Sequence, residues 1–186
     1  MTQTIGIAGL GAIGSAVARA LQNGITGLEW IGASDINPNP EFDIPMMDFD
    51  TLADRCDIIV ECLPPSAVPA IAKAVIQRQK TLVLISSCAL LMYPEILDIH
   101  KLSTSRIFVP SGALSGLDGI KALKNLGIKS SKIASTKPPL GFKNAPYVEE
   151  IGISLETISV KTRIFAGNAF DAAKGFPANV NVAATL

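Results

Sequence analysis

The sequence predicts an α/β protein: a Rossmann-type doubly wound parallel sheet over residues 1–110, then an incomplete α+β unit over residues 111–186. Three observations carry this. Short, mainly apolar runs alternate with stretches of helical periodicity as far as Val109, which is how strands buried on both faces and joined by right-handed crossover helices read. A glycine-rich turn, Gly9-Leu-Gly-Ala-Ile-Gly14, joins the first run to the first helix. After Pro110 the pattern becomes polar–apolar alternation, the mark of half-exposed strands. The composition agrees: 48% of residues are hydrophobic and only 17% charged, and the mean hydropathy of +0.39 suits strands with no solvent face.

The elements follow in order. Thr4–Ala8 is a strand, and Ala12–Leu21 is a helix punctuated by Gly24 and Gly27. Leu28–Ser34 is the second strand, closing on Asp35 before the loop Asn37-Pro-Asn-Pro40. Pro45–Asp48 reads as a weak third strand and Thr51–Arg55 as a helical turn. Asp57–Cys62 is a strand with Ile58-Ile-Val60 as its apolar centre. A helix is expected over Ser66–Gln79, with Ser66 as N-cap and Pro69 in the first turn. Thr81–Ile85 is a strand, Tyr93–Lys101 a helix and Arg106–Val109 a strand. Beyond Pro110, Leu117–Asn125 is helical, Lys129–Lys137 and Thr157–Ala166 alternate as strands, and Val180–Leu186 is helical. That last helix reaches Leu186 with neither cap nor basic last turn, so the natural chain is expected to continue.

Several function classes drop out. Lys plus Arg and Asp plus Glu number 16 each, which gives no basic surface for nucleic acid or an anionic membrane. The longest apolar stretch, Leu82–Tyr93, is broken by two serines and too short to span a bilayer. No charged leader precedes Arg19. Cys56, Cys62 and Cys88 form no paired metal motif, so a metal site is not expected and a reducing cytoplasm is.

The glycine turn carries the chemistry. Gly9 permits the tight exit from the strand, Gly11 lets backbone approach a pyrophosphate, and Gly14 lets helix pack on strand. The N–H groups of Ala12, Ile13 and Gly14 then face the phosphates at the positive end of the helix. Asp35 lies 24 residues after Gly11 at the end of the second strand. There a carboxylate binds the ribose hydroxyls of NAD and repels the extra phosphate of NADP, which stays possible; the alternative is a solvated Asp that starts the turn at Asn37. Glu61 is either a functional acid or a strand-end residue held by hydrogen bonds. Cys88 suggests a rival: a thiol beside the nicotinamide that attacks an aldehyde. It would need a histidine, and the sole one, His100, lies about 18 Å along if the helix is continuous. A buried thiol and an exposed helix-end His100 are the simpler assignments.

Val109-Pro-Ser-Gly-Ala-Leu-Ser-Gly-Leu-Asp118, Thr136-Lys-Pro-Pro139 and Phe176-Pro-Ala-Asn-Val-Asn-Val-Ala-Ala-Thr185 go beyond a generic dinucleotide fold. With the glycine turn they resemble the L-aspartate dehydrogenase family along the whole chain. The resemblance implies an NAD(P)-dependent oxidoreductase that converts L-aspartate to iminoaspartate for pyridine nucleotide biosynthesis, by hydride transfer from the substrate Cα to nicotinamide C4. It implies a homodimer built through the second domain. Ala113 becomes a cofactor contact, as does one of Asn179 and Asn181, the other reading of Asn179 being a helix cap. Ser111 and Lys137 become candidates for holding the dicarboxylate, and Lys137 is otherwise a solvated strand residue. Cys88 stands where the family usually has glycine, and Pro64-Pro65 replaces polar residues. The family's catalytic histidine is expected past Leu186, so no catalytic residue is assigned. The alternatives are another two-domain dehydrogenase, of semialdehyde or homoserine type, and a non-catalytic short form that binds a dinucleotide.

Overall fold

The computed structural model describes residues 2–186. They form two compact units, one ending at Pro110 and one spanning Ser111–Leu186.

In the first unit, β1 (Gln3–Ala8), β2 (Leu28–Ser34), β3 (Ile58–Glu61), β4 (Thr81–Leu84) and β5 (Arg106–Phe108) make one sheet in the order β2-β1-β3-β4-β5. All pairings are parallel. Parallel neighbours require crossovers. These run through α1 (Ala12–Gln22), α2 (Phe49–Arg55), α3 (Val68–Gln77), α4 (Cys88–Met92) and α5 (Glu95–Lys101). Each face of the sheet has its own core. Leu52, Ile71, Val75 and Ile96 cluster with Ile59, Leu82 and Leu84, whereas Ala18, Leu21 and Phe42 cluster with Ile5, Ile7 and Val60. Successive residues Ile59 and Val60 thus feed opposite cores, which is why the strand reads as an unbroken apolar run.

The weak strand expected at Pro45–Asp48 shrinks to a single parallel bridge between Met46 and Ala33. Ala33 N–H donates to the Pro45 carbonyl (3.0 Å) and Met47 N–H to that of Ala33 (2.8 Å). The ladder cannot lengthen, because Pro45 has no N–H and Asp48 turns to cap α2, its carboxylate accepting the Thr51 N–H at 2.7 Å. Counted as an outermost strand, the bridge restores the 3-2-1-4-5-6 order of dinucleotide-binding sheets. The order reverses between β1 and β3 in either count.

Two helix starts differ from expectation. Ser66 is not the N-cap: Pro65–Ala67 form a 3-10 turn, and Ala67 precedes α3 without a side-chain cap bond. The helix expected at Tyr93–Lys101 starts at Glu95, after Pro94. A separate five-residue helix, Cys88–Met92, comes before it.

The second unit holds α6 (Leu117–Lys124), α7 (Pro146–Ile151), α8 (Ala169–Gly175) and α9 (Asn181–Thr185). Among its described residues there is no strand. Lys129–Lys137 lacks regular structure, and Thr157–Ala166 is coil after a 3-10 turn at Leu155–Thr157. Both segments alternate as half-exposed strands do, but a strand also needs a hydrogen-bonding neighbour, and the described residues of this unit offer none. α7 and α8 escape a periodicity reading because they span only six and seven residues. Their capping is nonetheless local: Pro146 opens α7, Gly152 at φ +64° ends it, and the Asn168 side chain accepts the Asp171 N–H (2.9 Å) at the head of α8. The core is aromatic. Phe176 is buried against the rings of Phe142, Tyr147 and Phe165, with centroids 5.4–5.8 Å away.

Candidate functional site

The carboxyl ends of β1 and β3 flank the point where strand order reverses, the place where open parallel sheets bind ligands. The three glycines of the turn there answer to different demands. Gly9 has φ +94°, and a Cβ on it would lie 2.5 Å from the Cys62 carbonyl oxygen. A Cβ on Gly14 would lie 1.8 Å from the Gly9 carbonyl oxygen. Both are imposed by the fold itself. A Cβ on Gly11 would meet nothing within 4 Å. No protein atom demands glycine there, whereas a phosphate held against the backbone does. Gly11 also precedes α1 with no side-chain cap and no acid in the first turn, so neither the cap nor the first turn of the helix neutralises its positive end. Gly11, Ala12 and Ile13 are exposed while Gly14 is buried.

Asp35 is drawn to this turn. Its Oδ2 accepts the Leu10 N–H at 2.5 Å and its Oδ1 the Asn37 N–H at 2.7 Å. The turn-starting role and the position beside the glycine loop are therefore both present in one side chain. The carbonyl of Leu10 is held in turn by Ser15 Oγ (2.7 Å), which also accepts Asn39 Nδ2 (3.1 Å). Ser15 and Asn39 are loop-fixing residues that the sequence reading did not single out; a buried polar residue on the inner face of α1 was the available signal.

Glu61 is fully buried at the end of β3. Its Oε1 accepts the Leu63 N–H (2.6 Å), and its Oε2 accepts those of Ile85 (3.1 Å) and Ser86 (2.9 Å). Burial pushes its carboxyl above the ordinary value, and these N–H groups pull the other way. Ser86 Oγ donates to the Leu63 carbonyl at 2.6 Å, a second tie between the same two strand ends.

Cys88 opens α4 and is fully buried. Burial pushes its thiol up to about 11, so it is not poised as a nucleophile. Burial and the Glu61 charge push the Cys62 thiol up to about 12. His100 has Nδ1 2.9 Å from Ser105 Oγ. Ser105 immediately precedes β5, so His100 lies at the amino edge of the sheet, opposite the glycine turn. The structure does not bring Cys88 and His100 together.

In the second unit, Lys137 Nζ donates to Asn179 Oδ1 at 2.7 Å. Asn179 is not the helix cap: Val180 holds that position before α9, and Asn181 is the first residue of the helix. Ser111 and Ala113 lie in an exposed turn in which Leu114 N–H donates to the Ser111 carbonyl (3.0 Å) and Gly112 has φ +58°.

Residues 118–186 match the family model for the aspartate dehydrogenase C-terminal domain. Residues 1–88 match the model for the NAD binding domain of D-isomer specific 2-hydroxyacid dehydrogenases. The chain is 37% identical to L-aspartate dehydrogenase 3 of Bordetella bronchiseptica, over 98% of its own length and 70% of that relative's. The chain belongs to the L-aspartate dehydrogenase family. It is likewise 37% identical to the L-aspartate dehydrogenase of Bradyrhizobium diazoefficiens, covering 68% of it. It is similar in structure to aspartate dehydrogenase from Thermotoga maritima, with a TM-score of 0.77 and 27% identity over the whole chain and 72% of the other. As an L-aspartate dehydrogenase family member it is an oxidoreductase, and its cofactor class is a pyridine nucleotide. Among the described residues no helix is long and apolar enough to cross a membrane and no acid, cysteine or histidine cluster suits a metal.

Proposed function

We propose that this family member oxidises L-aspartate to iminoaspartate with NAD as the hydride acceptor. One observation carries the cofactor half: the free volume at Gly11 lies at a helix N-terminus with no side-chain cap and no acid in its first turn, next to the loop that Asp35 grips. The backbone of Gly11, Ala12, Ile13 and Gly14 would cradle the pyrophosphate, with Gly9 making the turn. Asp35 keeps unused lone pairs on both oxygens for the ribose hydroxyls. Its charge favours NAD over NADP. When bound, the nicotinamide supplies the redox chemistry, and the chain supplies position and electrostatics.

The substrate half rests on family membership and on the second unit. Lys137 presents an exposed ammonium that Asn179 steadies from one side, which suits a substrate carboxylate. Ser111 would assist it. Ala113 and Asn181 are the cofactor contacts proposed from this unit, and Asn179 serves Lys137 instead. A homodimer is proposed because the alternating segments leave Ile133 and Val160 39% and 72% exposed, a surface that a second copy would cover. Cys56, Cys62 and Cys88 are thiols rather than disulfide halves, which suits a reducing cytoplasm.

The test is NADH formation by the protein with NAD and a panel of L-amino acids. Aspartate should be oxidised well above the others. Equal turnover of other amino acids, or none of aspartate, overturns the substrate assignment. Stronger activity with NADP overturns the role given to Asp35.

A further inference from the structure

The β3–β4 ladder ends with the pair Glu61 and Leu84. Beyond it the two chains part, and the N–H groups of Leu63 and Ser86 lose the ladder acceptors that a longer sheet would give them. A buried N–H left without an acceptor loses its water and gains nothing in return. The Glu61 carboxylate replaces those acceptors. It takes Leu63 on one oxygen and Ser86 on the other, and it shares the Ile85 N–H with its own backbone carbonyl (3.3 Å). The splay between β3 and β4 is therefore held open by one side chain, with Ser86 Oγ bonded to the Leu63 carbonyl as a second tie.

The Leu63 N–H belongs to the peptide whose carbonyl is that of Cys62. That carbonyl oxygen is the atom a Cβ on Gly9 would strike. By gripping one end of this peptide, Glu61 sets the tilt of the wall on which the glycine turn rests. On its other oxygen it fixes Ile85 and Ser86, the exit of β4 towards Cys88. Acceptor-only chemistry is required: the three backbone partners are N–H donors and the Ser86 hydroxyl also lies against the carboxylate, so a carboxamide of identical shape would set its NH2 against at least one N–H.

We propose that Glu61, with Ser86, is a positioning residue for the nicotinamide half of the cofactor: a dinucleotide with its adenosine ribose at Asp35 beyond β2 and its pyrophosphate at the β1 turn would run on over the ends of β3 and β4, which Glu61 holds apart. This rests on the cofactor assignment above. It touches no reacting atom.

The experiment compares NAD with ADP, which carries the adenosine and pyrophosphate but not the nicotinamide ribose. Binding of both is measured on the wild-type chain and on Glu61→Gln, with thermal unfolding recorded alongside. The ratio of NAD to ADP affinity should fall about tenfold in the variant, equivalent to about 1.4 kcal/mol. Equal loss of both ligands marks a merely structural role and overturns the inference, as does an unchanged ratio. Should Glu61→Gln not fold, Ser86→Ala decides. It removes one tie and leaves the three N–H bonds, so the same ratio should fall about threefold, and an unchanged ratio overturns the inference. A wild-type chain that binds neither ligand overturns the cofactor assignment, whereas normal wild-type binding with an unaltered ratio in the variant overturns only the role of Glu61.

Discussion

The two units solve the problem of burying apolar sequence in different ways. The first builds an open five-stranded parallel sheet, with every strand paired and a separate core on each face. The second gathers short helices around four aromatic rings and leaves its alternating segments unpaired among the described residues. In a parallel sheet each strand brings a helix that covers it, so nearby sequence contains most of the fold. An alternating segment is half a structure until a neighbour meets its edge.

Hydrogen exchange gives the largest test of this contrast. Amides of β1, β3 and β4 should exchange at least ~10³-fold more slowly than those of residues 129–137. Comparable protection in both would mean that 129–137 has found a strand partner, and repeating the measurement at several protein concentrations would reveal a second copy as that partner.

Core substitutions should separate the units next. Phe176→Ala removes the ring on which Phe142, Tyr147 and Phe165 converge and should cost the second unit about 3 kcal/mol. Gly14→Ala drives a methyl into the Gly9 carbonyl and should cost the first unit about 3 kcal/mol. Both are measured by denaturant melts, and coincident loss of both units in either variant would break the distinction. Gly11→Ala is the partner experiment: stability should hold within about 1 kcal/mol while NAD affinity falls about tenfold.

The smallest effect concerns acid. At the amino edge of the sheet Asp57 accepts the Thr4 N–H (3.1 Å) and Lys80 Nζ (3.1 Å). The Thr4 N–H and then Lys80 hold its carboxyl below the ordinary range. A depressed native value means that this stability is present above the ordinary carboxylate value and is lost as pH falls through the depressed one. The side chain is 45% exposed, so the gain stays below about 1 kcal/mol. Asp57→Asn should flatten the acid limb of the first unit's melting curve and leave that of the second unchanged.

The sequence was most readable where one residue has one local reason. Gly9 and Gly14 are such cases, and so is Ile58-Ile-Val60, whose buried run located β3 to within a residue. It was least readable where the reason lies elsewhere in the chain. Ile133 and Ile164 sit in alternating segments, and no local pattern says whether an edge will come to meet them. Asn179 looked like a cap because Asn often caps helices, but Lys137, 42 residues away in sequence, claims its side chain. Glu61 was visible as a charge closing an apolar strand, yet its three donors come from two loops that only the sheet brings together. Met46 shows an intermediate case: the strand signal was real, and the neighbouring Pro45 and Asp48 stopped it after one bridge.

The glycine turn has an evolutionary corollary. Gly9 and Gly14 are locked in by the Cys62 and Gly9 carbonyls and would persist in a descendant that had abandoned its cofactor. Gly11 is free to drift the moment no phosphate rests on it. In this turn the middle glycine alone answers to a ligand, while its two neighbours answer to the chain that surrounds them.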